Sequence, residues 1–311
     1  MAFLYKGDNA AAWAQEFAAK APGIPFHLWP AAGAAADFDP AAVRFLAIWQ
    51  PPADIPARFP NLEILFSVGA GVDQFDLSRL PPALPLVRMV EPGIIDGMVE
   101  YVCFSVLGLH RDMPHYLRRQ HAGEWQPLPV KTAAQRRVGV LGLGELGRAA
   151  LARLASFGFD CAGWSRSRHE LPGVRCHAGE DELPAFLAGC DILACLLPLT
   201  AATRGMLNAR LFATLPAGAA LVNVGRGGHL VEKDLLQALD SGHLSAAILD
   251  VCEPEPLPAG HAFWRHPRIW LTPHIASATQ PASAVDAVLE NLRRHARGEA
   301  LVGLVDRSKG Y

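Results

Sequence analysis

The run Arg137-Val-Gly-Val-Leu-Gly142-Leu-Gly144-Glu-Leu-Gly147 constrains this chain more than any other segment. A short apolar β-type stretch leads directly into Gly-x-Gly-x-x-Gly, and the residues after it predict a helix continuing to Phe157 and stopped by Gly158. In that setting Gly142 permits the tight turn, Gly144 lets the backbone approach a pyrophosphate, and Gly147 lets the helix pack on the strand. The helix N-terminus, with Glu145 and Leu146 in its first turn, offers unpaired amides to an anion. The same glycines without strand and helix around them would mark only turns; here they predict a dinucleotide site.

The rest of the chain repeats this alternation of short β-rich runs and helix-capable segments, the pattern of an α/β protein with parallel sheets. Its 311 residues suggest two domains, and 51% apolar residues suffice for two cores. One set of candidate strands is Phe3–Tyr5, Phe26–Trp29, Phe45–Trp49, Leu62–Val68 and Leu86–Val90, a flavodoxin-like unit. The other is Arg137–Leu141, Cys161–Trp164, Asp191–Leu197, Ala219–Val224, Ala247–Val251 and Ile269–Thr272, a larger Rossmann-like sheet. Between them Gly97–Leu117 reads as an apolar helix buried between domains or subunits. Late in the chain Pro281 opens a helix whose last turn carries Arg293, Arg294 and His295 and which Gly298 stops. The tail then returns to the first sheet. The expected fold is therefore two doubly wound domains: a flavodoxin-like substrate domain from residues 1–96 and 282–311, with a Rossmann domain, 97–281, inserted in it.

Charge and cysteines narrow the partners. With 28 Lys and Arg against 30 Asp and Glu, the net charge is −2, and no basic run suggests nucleic acid or an anionic membrane. The apolar stretch Ile192–Leu199 is far shorter than the ~20 residues of a spanning helix, so none is expected. Lys6, Asp8 and Glu16 interrupt any secretory-signal core, which points to the cytoplasm. Six cysteines without a CxxC pair fit reduced, buried thiols and no metal site.

Ser165-Arg166-Ser167-Arg168 follows the strand after the glycine loop, with Ser165 18 residues beyond Gly147. An NAD site would carry Asp or Glu here for the ribose 2′-OH. Hydroxyl and guanidinium donors instead suit a 2′-phosphate, which predicts NADPH.

Three further segments lie at the ends of late strands: Asn223-Val-Gly-Arg226-Gly-Gly, Asp250-Val-Cys-Glu-Pro-Glu255-Pro-Leu-Pro and Leu271-Thr-Pro-His274. With the glycine loop they resemble the D-2-hydroxyacid dehydrogenase family. So do Ser67-Val-Gly69-Ala-Gly71-Val-Asp73, Leu196-Leu-Pro-Leu-Thr200 and Val231-Glu-Lys-Asp-Leu-Leu. Ile48-Trp49-Gln-Pro-Pro, Trp125-Gln-Pro-Leu-Pro, Trp164-Ser-Arg and the tail Val305–Tyr311 are similar to its glyoxylate/hydroxypyruvate reductase A branch. The matches run from about residue 45 onward.

The resemblance implies NADPH-dependent reduction of a small 2-oxo acid, glyoxylate or hydroxypyruvate, with another acid specificity or a dinucleotide-sensing binding protein as alternatives. The chemistry needs the same residue types. Arg226 has the rigid fork to hold a carboxylate and the 2-oxygen together. His274 can protonate that oxygen, because imidazoles cycle near neutrality. Glu255 would orient the ring, although Glu253 could do so in a shifted loop register. The resemblance alone implies that the amides of Ala70 and Gly71 hold the carboxylate, that Leu197, Pro198 and Val224 bind the cofactor, and that Asn223 and Asp250 face the nicotinamide side. Trp49 is either a wall of the pocket or core. Closure about hinges near 96–102 and 275–285, and a homodimer using helix 97–117 and the arm Trp125–Pro129, complete the expectations.

Overall fold

The computed structural model describes residues 2–31 and 35–311 and divides the chain into two compact units, Met1–Ile94 with Ala278–Tyr311, and Ile95–Ser277. In the smaller unit five parallel strands, β1 (Ala2–Lys6), β2 (Phe26–Leu28), β3 (Val43–Ile48), β4 (Ile64–Ser67) and β5 (Leu86–Val87), take the order β2-β1-β3-β4-β5. That is the flavodoxin-like order. Strands β1, β3 and β4 are almost continuously apolar because both faces are covered. On one face α1 (Ala10–Lys20) sets Trp13 on Tyr5, with ring centroids 4.4 Å apart, and Phe17 on Phe3, 4.5 Å apart. On the other, Ile55 of the short helix α2 (Ile55–Arg58) joins Leu46, Ile48 and Leu65.

The chain continues into α3 (Pro92–His110) and α4 (Met113–Ala122). These correct the single helix expected at Gly97–Leu117. Glu91 starts α3 five residues earlier by accepting the amides of Gly93 and Ile94 at 2.5 and 2.9 Å. Asp112, in the left-handed region at φ 56°, ends the run, and Pro114 lacks the amide that would have extended its ladder. By length and composition α3 could also span a bilayer, which corrects the expectation drawn from Ile192–Leu199. In the fold its residues Val102, Val106 and Leu109 are part of the larger unit's core.

That unit is a seven-stranded parallel sheet of β6 (Arg137–Leu141), β7 (Asp160–Ser165), β8 (Arg175–Ala178), β9 (Ile192–Cys195), β10 (Ala219–Asn223), β11 (Leu244–Leu249) and β12 (Ile269–Leu271). Its order, β12-β11-β10-β9-β6-β7-β8, is the Rossmann order with one added edge strand. Six strands were expected; β8, Arg-Cys-His-Ala at the opposite edge, has no apolar run to reveal it. Helix α5 (Glu145–Ser156) follows β6 and ends where expected, with Gly158 at φ 87°. Helices α6 (Gly179–Leu187), α7 (Ala209–Thr214) and α8 (Glu232–Asp240) complete the crossovers. Strand order reverses between β6 and β9, and ligands of open α/β sheets bind at the carboxyl ends of the strands beside such a point.

In the smaller unit again, α9 (Pro281–Ala296) begins at Pro281, carries Arg293, Arg294 and His295 in its last turn and is followed by Gly298 at φ 68°. The tail pairs Leu304 antiparallel with Val87.

Candidate active site

The glycine loop sits at the strand-order reversal. Gly142 adopts φ 106°, outside the range of most side chains, and its N–H bonds Trp164 O at 2.8 Å. A Cβ on Gly147 would stand 1.9 Å from Gly142 O, so only glycine lets α5 start so close to the loop. A Cβ on Gly144 would meet nothing within 4 Å. The space outside the first turn, with Glu145 and Leu146, is therefore open, and no side chain caps the helix there. Positive dipole and open space together fit a pyrophosphate.

Ser165 ends β7, next to β6, so the 165–168 segment neighbours this loop. Ser165 Oγ donates to Ser167 O at 2.7 Å, and Arg166, Ser167 and Arg168 are exposed. Arg168 is paired with Glu182, whose other oxygen accepts the Ala178 amide at 2.9 Å. Leu197 and Pro198 follow β9, and Val224, which follows β10, donates its amide to Cys195 O at 3.2 Å. These residues all lie at the carboxyl edge of one sheet.

Arg226, half-buried, lies three residues beyond β10. Buried Asn223 holds its loop, donating from Nδ2 to Arg226 O at 3.0 Å and accepting Gly225 N–H at 3.2 Å. Arg226 Nη1 donates to Gly225 O at 2.8 Å. The next residue passes flush against another loop, since a Cβ on Gly227 would stand 2.0 Å from the Cys252 carbonyl carbon. Cys252 in turn donates its amide to Glu255 Oε1 at 2.9 Å, and Glu255 Oε2 lies 2.8 Å from His274 Nδ1. A chain of contacts thus joins the loops of Arg226, Glu255 and His274. The register alternative is answered by the same geometry, because Glu253 pairs with Arg204 at 2.8 Å.

His274 has a left-handed backbone, φ 55°, rare for a residue with a Cβ. Its N–H bonds Asp250 O at 2.8 Å. The Asp250 carboxylate, 2% exposed, accepts from Thr272 Oγ1 at 2.7 Å, Ile275 N at 2.8 Å and Ala276 N at 2.9 Å. Since the Thr272 hydroxyl donates to Asp250, it accepts from Tyr101 OH. Burial first, then the charge of Asp250, holds the Tyr101 phenol above its usual range. Asp250, assigned by resemblance to the nicotinamide side, spends both carboxylate oxygens on the turn that carries His274. Sequence reasoning missed Tyr101, one hydroxyl on a mostly apolar helix with nothing local to link it to Thr272.

The imidazole sits with its side chain 35% exposed. A carboxylate can only accept, so Nδ1 carries a proton and Nε2 is the atom left to serve chemistry. Among the described residues no group of three or more His, Cys, Asp or Glu is gathered as a metal would require.

In the smaller unit the remaining candidates share one loop region. Trp49 packs on Gly69, where a Cβ would come 2.7 Å from its ring, and Ala70 and Gly71 are half-buried. Ser67 Oγ donates to Gly71 O at 2.9 Å, tightening that turn.

Comparison with known proteins agrees with this architecture. The family profile described as "D-isomer specific 2-hydroxyacid dehydrogenase, NAD binding domain" matches residues 103–276. The chain is 43% identical over 273 residues to a glyoxylate/hydroxypyruvate reductase A of Yersinia enterocolitica, covering 86% of this chain and 87% of that one. It is similar in structure to a D-isomer specific 2-hydroxyacid dehydrogenase from Xanthobacter autotrophicus Py2 in complex with NADPH and MES, with a TM-score of 0.95 and 42% identity over 100% of this chain and 99% of that one. An NADPH-dependent glyoxylate/hydroxypyruvate reductase from Sinorhizobium meliloti, in complex with NADP and sulfate, superposes with a TM-score of 0.92 at 35% identity, covering 99% of each chain.

Proposed function

Because this chain belongs to the D-isomer specific 2-hydroxyacid dehydrogenase family, we propose that it reduces small 2-oxo acids, glyoxylate to glycolate and hydroxypyruvate to D-glycerate, with NADPH. The observation that carries the reading is the 2.8 Å contact between Glu255 Oε2 and His274 Nδ1, in a loop tied through Cys252 to that of Arg226. The complete set of Arg226, Glu255 and His274 favours turnover over binding alone.

The open cradle beside Gly144, with Ser165, Arg166, Ser167 and Arg168 at the neighbouring strand end, fits a dinucleotide bearing a 2′-phosphate. Leu197, Pro198, Val224 and Asp250 belong to the same sheet edge. When bound, NADPH supplies a hydride to the carbonyl carbon. The chain's own residues do the rest. Arg226 binds the carboxylate and draws electron density onto the 2-oxygen with one planar fork. His274, protonated at both nitrogens before turnover, gives its Nε2 proton to that oxygen and is left neutral with Nδ1–H on Glu255. Glu255 accepts from Nδ1–H and fixes the plane of the ring. The amides of Ala70 and Gly71 add donors for the carboxylate, and Trp49 an apolar wall.

The finer assignments belong to the same proposal: a cytoplasmic homodimer. Its support is the exposed surface of the larger unit, where Trp125 is fully exposed and Phe104 and Val130 largely so. Sedimentation giving only a 33.4 kDa species would remove the dimer. The activity is tested by following NADPH and NADH oxidation at 340 nm with a panel of 2-oxo acids. Glyoxylate and hydroxypyruvate should lead the panel, with NADPH preferred. A different leading acid would change the substrate, and no turnover with any would leave a binding protein.

A further inference from the structure

His229 has no part in the reaction described above, yet it is wholly buried beside Arg226, at 0% exposure. Arg226 N–H donates to His229 Nδ1 at 3.0 Å. Nδ1 also lies 3.2 Å from Arg226 O, but Nε2 faces Pro198 O at 3.3 Å, an atom that can only accept, so Nε2 carries the proton and in the neutral ring Nδ1 is the acceptor for the Arg226 amide. One ring therefore ties the loop after β9 to the loop after β10. Its place is that of the Glu or Gln in a capping box: three residues beyond Arg226, closing the single turn Gly227–His229 from inside.

The neighbours of Arg226 explain why such a tie is needed. The local sequence is Gly225-Arg226-Gly227-Gly228, so the backbone on both sides has glycine's freedom and little stiffness of its own. A guanidinium that must meet a carboxylate and a carbonyl oxygen at once depends on a fixed Cα. The Arg226 peptide is gripped from both ends, its N–H by His229 Nδ1 and its C=O by Asn223 Nδ2 at 3.0 Å and by His229 N at 3.2 Å. The ring also fills the space over Gly225, where a Cβ would come 2.9 Å from Nδ1.

We propose that His229 is a positioning residue for 2-oxo acid recognition, acting through Arg226 as a neutral Nε2–H tautomer that accepts the Arg226 amide. The inference rests on the reading of Arg226 as the substrate-binding fork. Two conservative variants separate the ring's two bonds. H229N places an acceptor where Nδ1 lies and loses the reach to Pro198, whereas H229Q keeps an amide near Pro198 and loses the acceptor for Arg226.

The experiment measures kcat and KM for glyoxylate at saturating NADPH in wild type, H229N, H229Q, R226K and R226K/H229Q. NADPH affinity by fluorescence titration and thermal melts accompany it. H229Q should lower kcat/KM by about 10- to 100-fold, the scale of a displaced positioning group, and mainly through KM. H229N should retain several times more activity than H229Q. In the R226K background, H229Q should cost less than about two-fold further, because residues acting as one unit are not additive. Equal losses in H229N and H229Q, the full loss repeated in R226K, or a lowered Tm with kcat/KM unchanged would each overturn the proposal. If R226K itself turns over like wild type, the reading of Arg226 falls, and this proposal with it.

Discussion

Glu255 holds two partners at once: its Oε2 lies 2.8 Å from His274 Nδ1 and its Oε1 accepts the Cys252 amide at 2.9 Å. The carboxylate is thus anchored to main chain before it orients the ring, so the imidazole inherits the rigidity of the 252–255 loop. Replacing it with Gln keeps the shape and weakens the charge-assisted acceptor that holds Nδ1–H. E255Q should lower kcat by about 10- to 100-fold, with a smaller change in NADPH affinity. Steady-state kinetics with glyoxylate check this, and an unchanged kcat would remove Glu255 from the relay.

In the proposed function, coenzyme choice is assigned to Arg166 and Arg168, both exposed just beyond the end of β7. A charge-assisted bond to a phosphate is worth about 1.5–3 kcal/mol, so R166A/R168A should reduce the NADPH-to-NADH ratio of kcat/KM by at least about ten-fold. An unaltered ratio would mean that both arginines are only solvated surface.

Glu91, 1% exposed, is a buried hydrogen-bond knot in the smaller unit. It accepts from Gly93 N at 2.5 Å, Ile94 N at 2.9 Å, Gln280 N at 3.3 Å and Ser283 Oγ at 2.5 Å, joining the starts of α3 and α9. Leaving such donors buried and unpaired costs about 1–3 kcal/mol each where no water enters. E91A should therefore lose about 3 kcal/mol or more, read as a lowered urea midpoint. An unfolding free energy within about 0.5 kcal/mol of wild type, the range of a neutral surface change, would contradict that role.

The thiols give the chain a pH signature. Burial pushes Cys161 up to about 11 and Cys190 and Cys195 up to about 12. Unfolded thiols ionise near about pH 8.5. From there to about 11–12 the unfolded chain has released protons that the fold retains, so stability is full below about pH 8.5 and is lost as pH rises. Iodoacetamide at pH 8 should spare these three in the native protein and label all six cysteines in urea. Rapid native labelling of Cys195 would show that the core opens.

The parts of this molecule written in local chemistry were legible before its coordinates. β6, the glycine loop and α5 were placed because a strand, a turn and a helix each leave marks within about twenty residues. Elements defined by partners were not. β8 is polar and exists because β7 pairs with it; the break at Asp112 depends on a left-handed residue ahead of Pro114. The choice between Glu253 and Glu255 needed three dimensions too, since only coordinates show Arg204 engaging Glu253. Nor does the sequence show that the Asp250 carboxylate accepts from Thr272, Ile275 and Ala276, a set of bonds that only the folded turn brings together. His229 looked like one histidine among twelve.

The central claim is that His274 delivers the proton as the carbonyl is reduced, and a single-turnover measurement isolates that event from product release. Mixing the NADPH-loaded enzyme with glyoxylate in a stopped-flow instrument, the absorbance at 340 nm should fall about 10²- to 10⁴-fold more slowly in H274Q than in wild type. Fold and NADPH affinity should be unchanged. A decay in H274Q as fast as that of the wild-type enzyme would contradict the account.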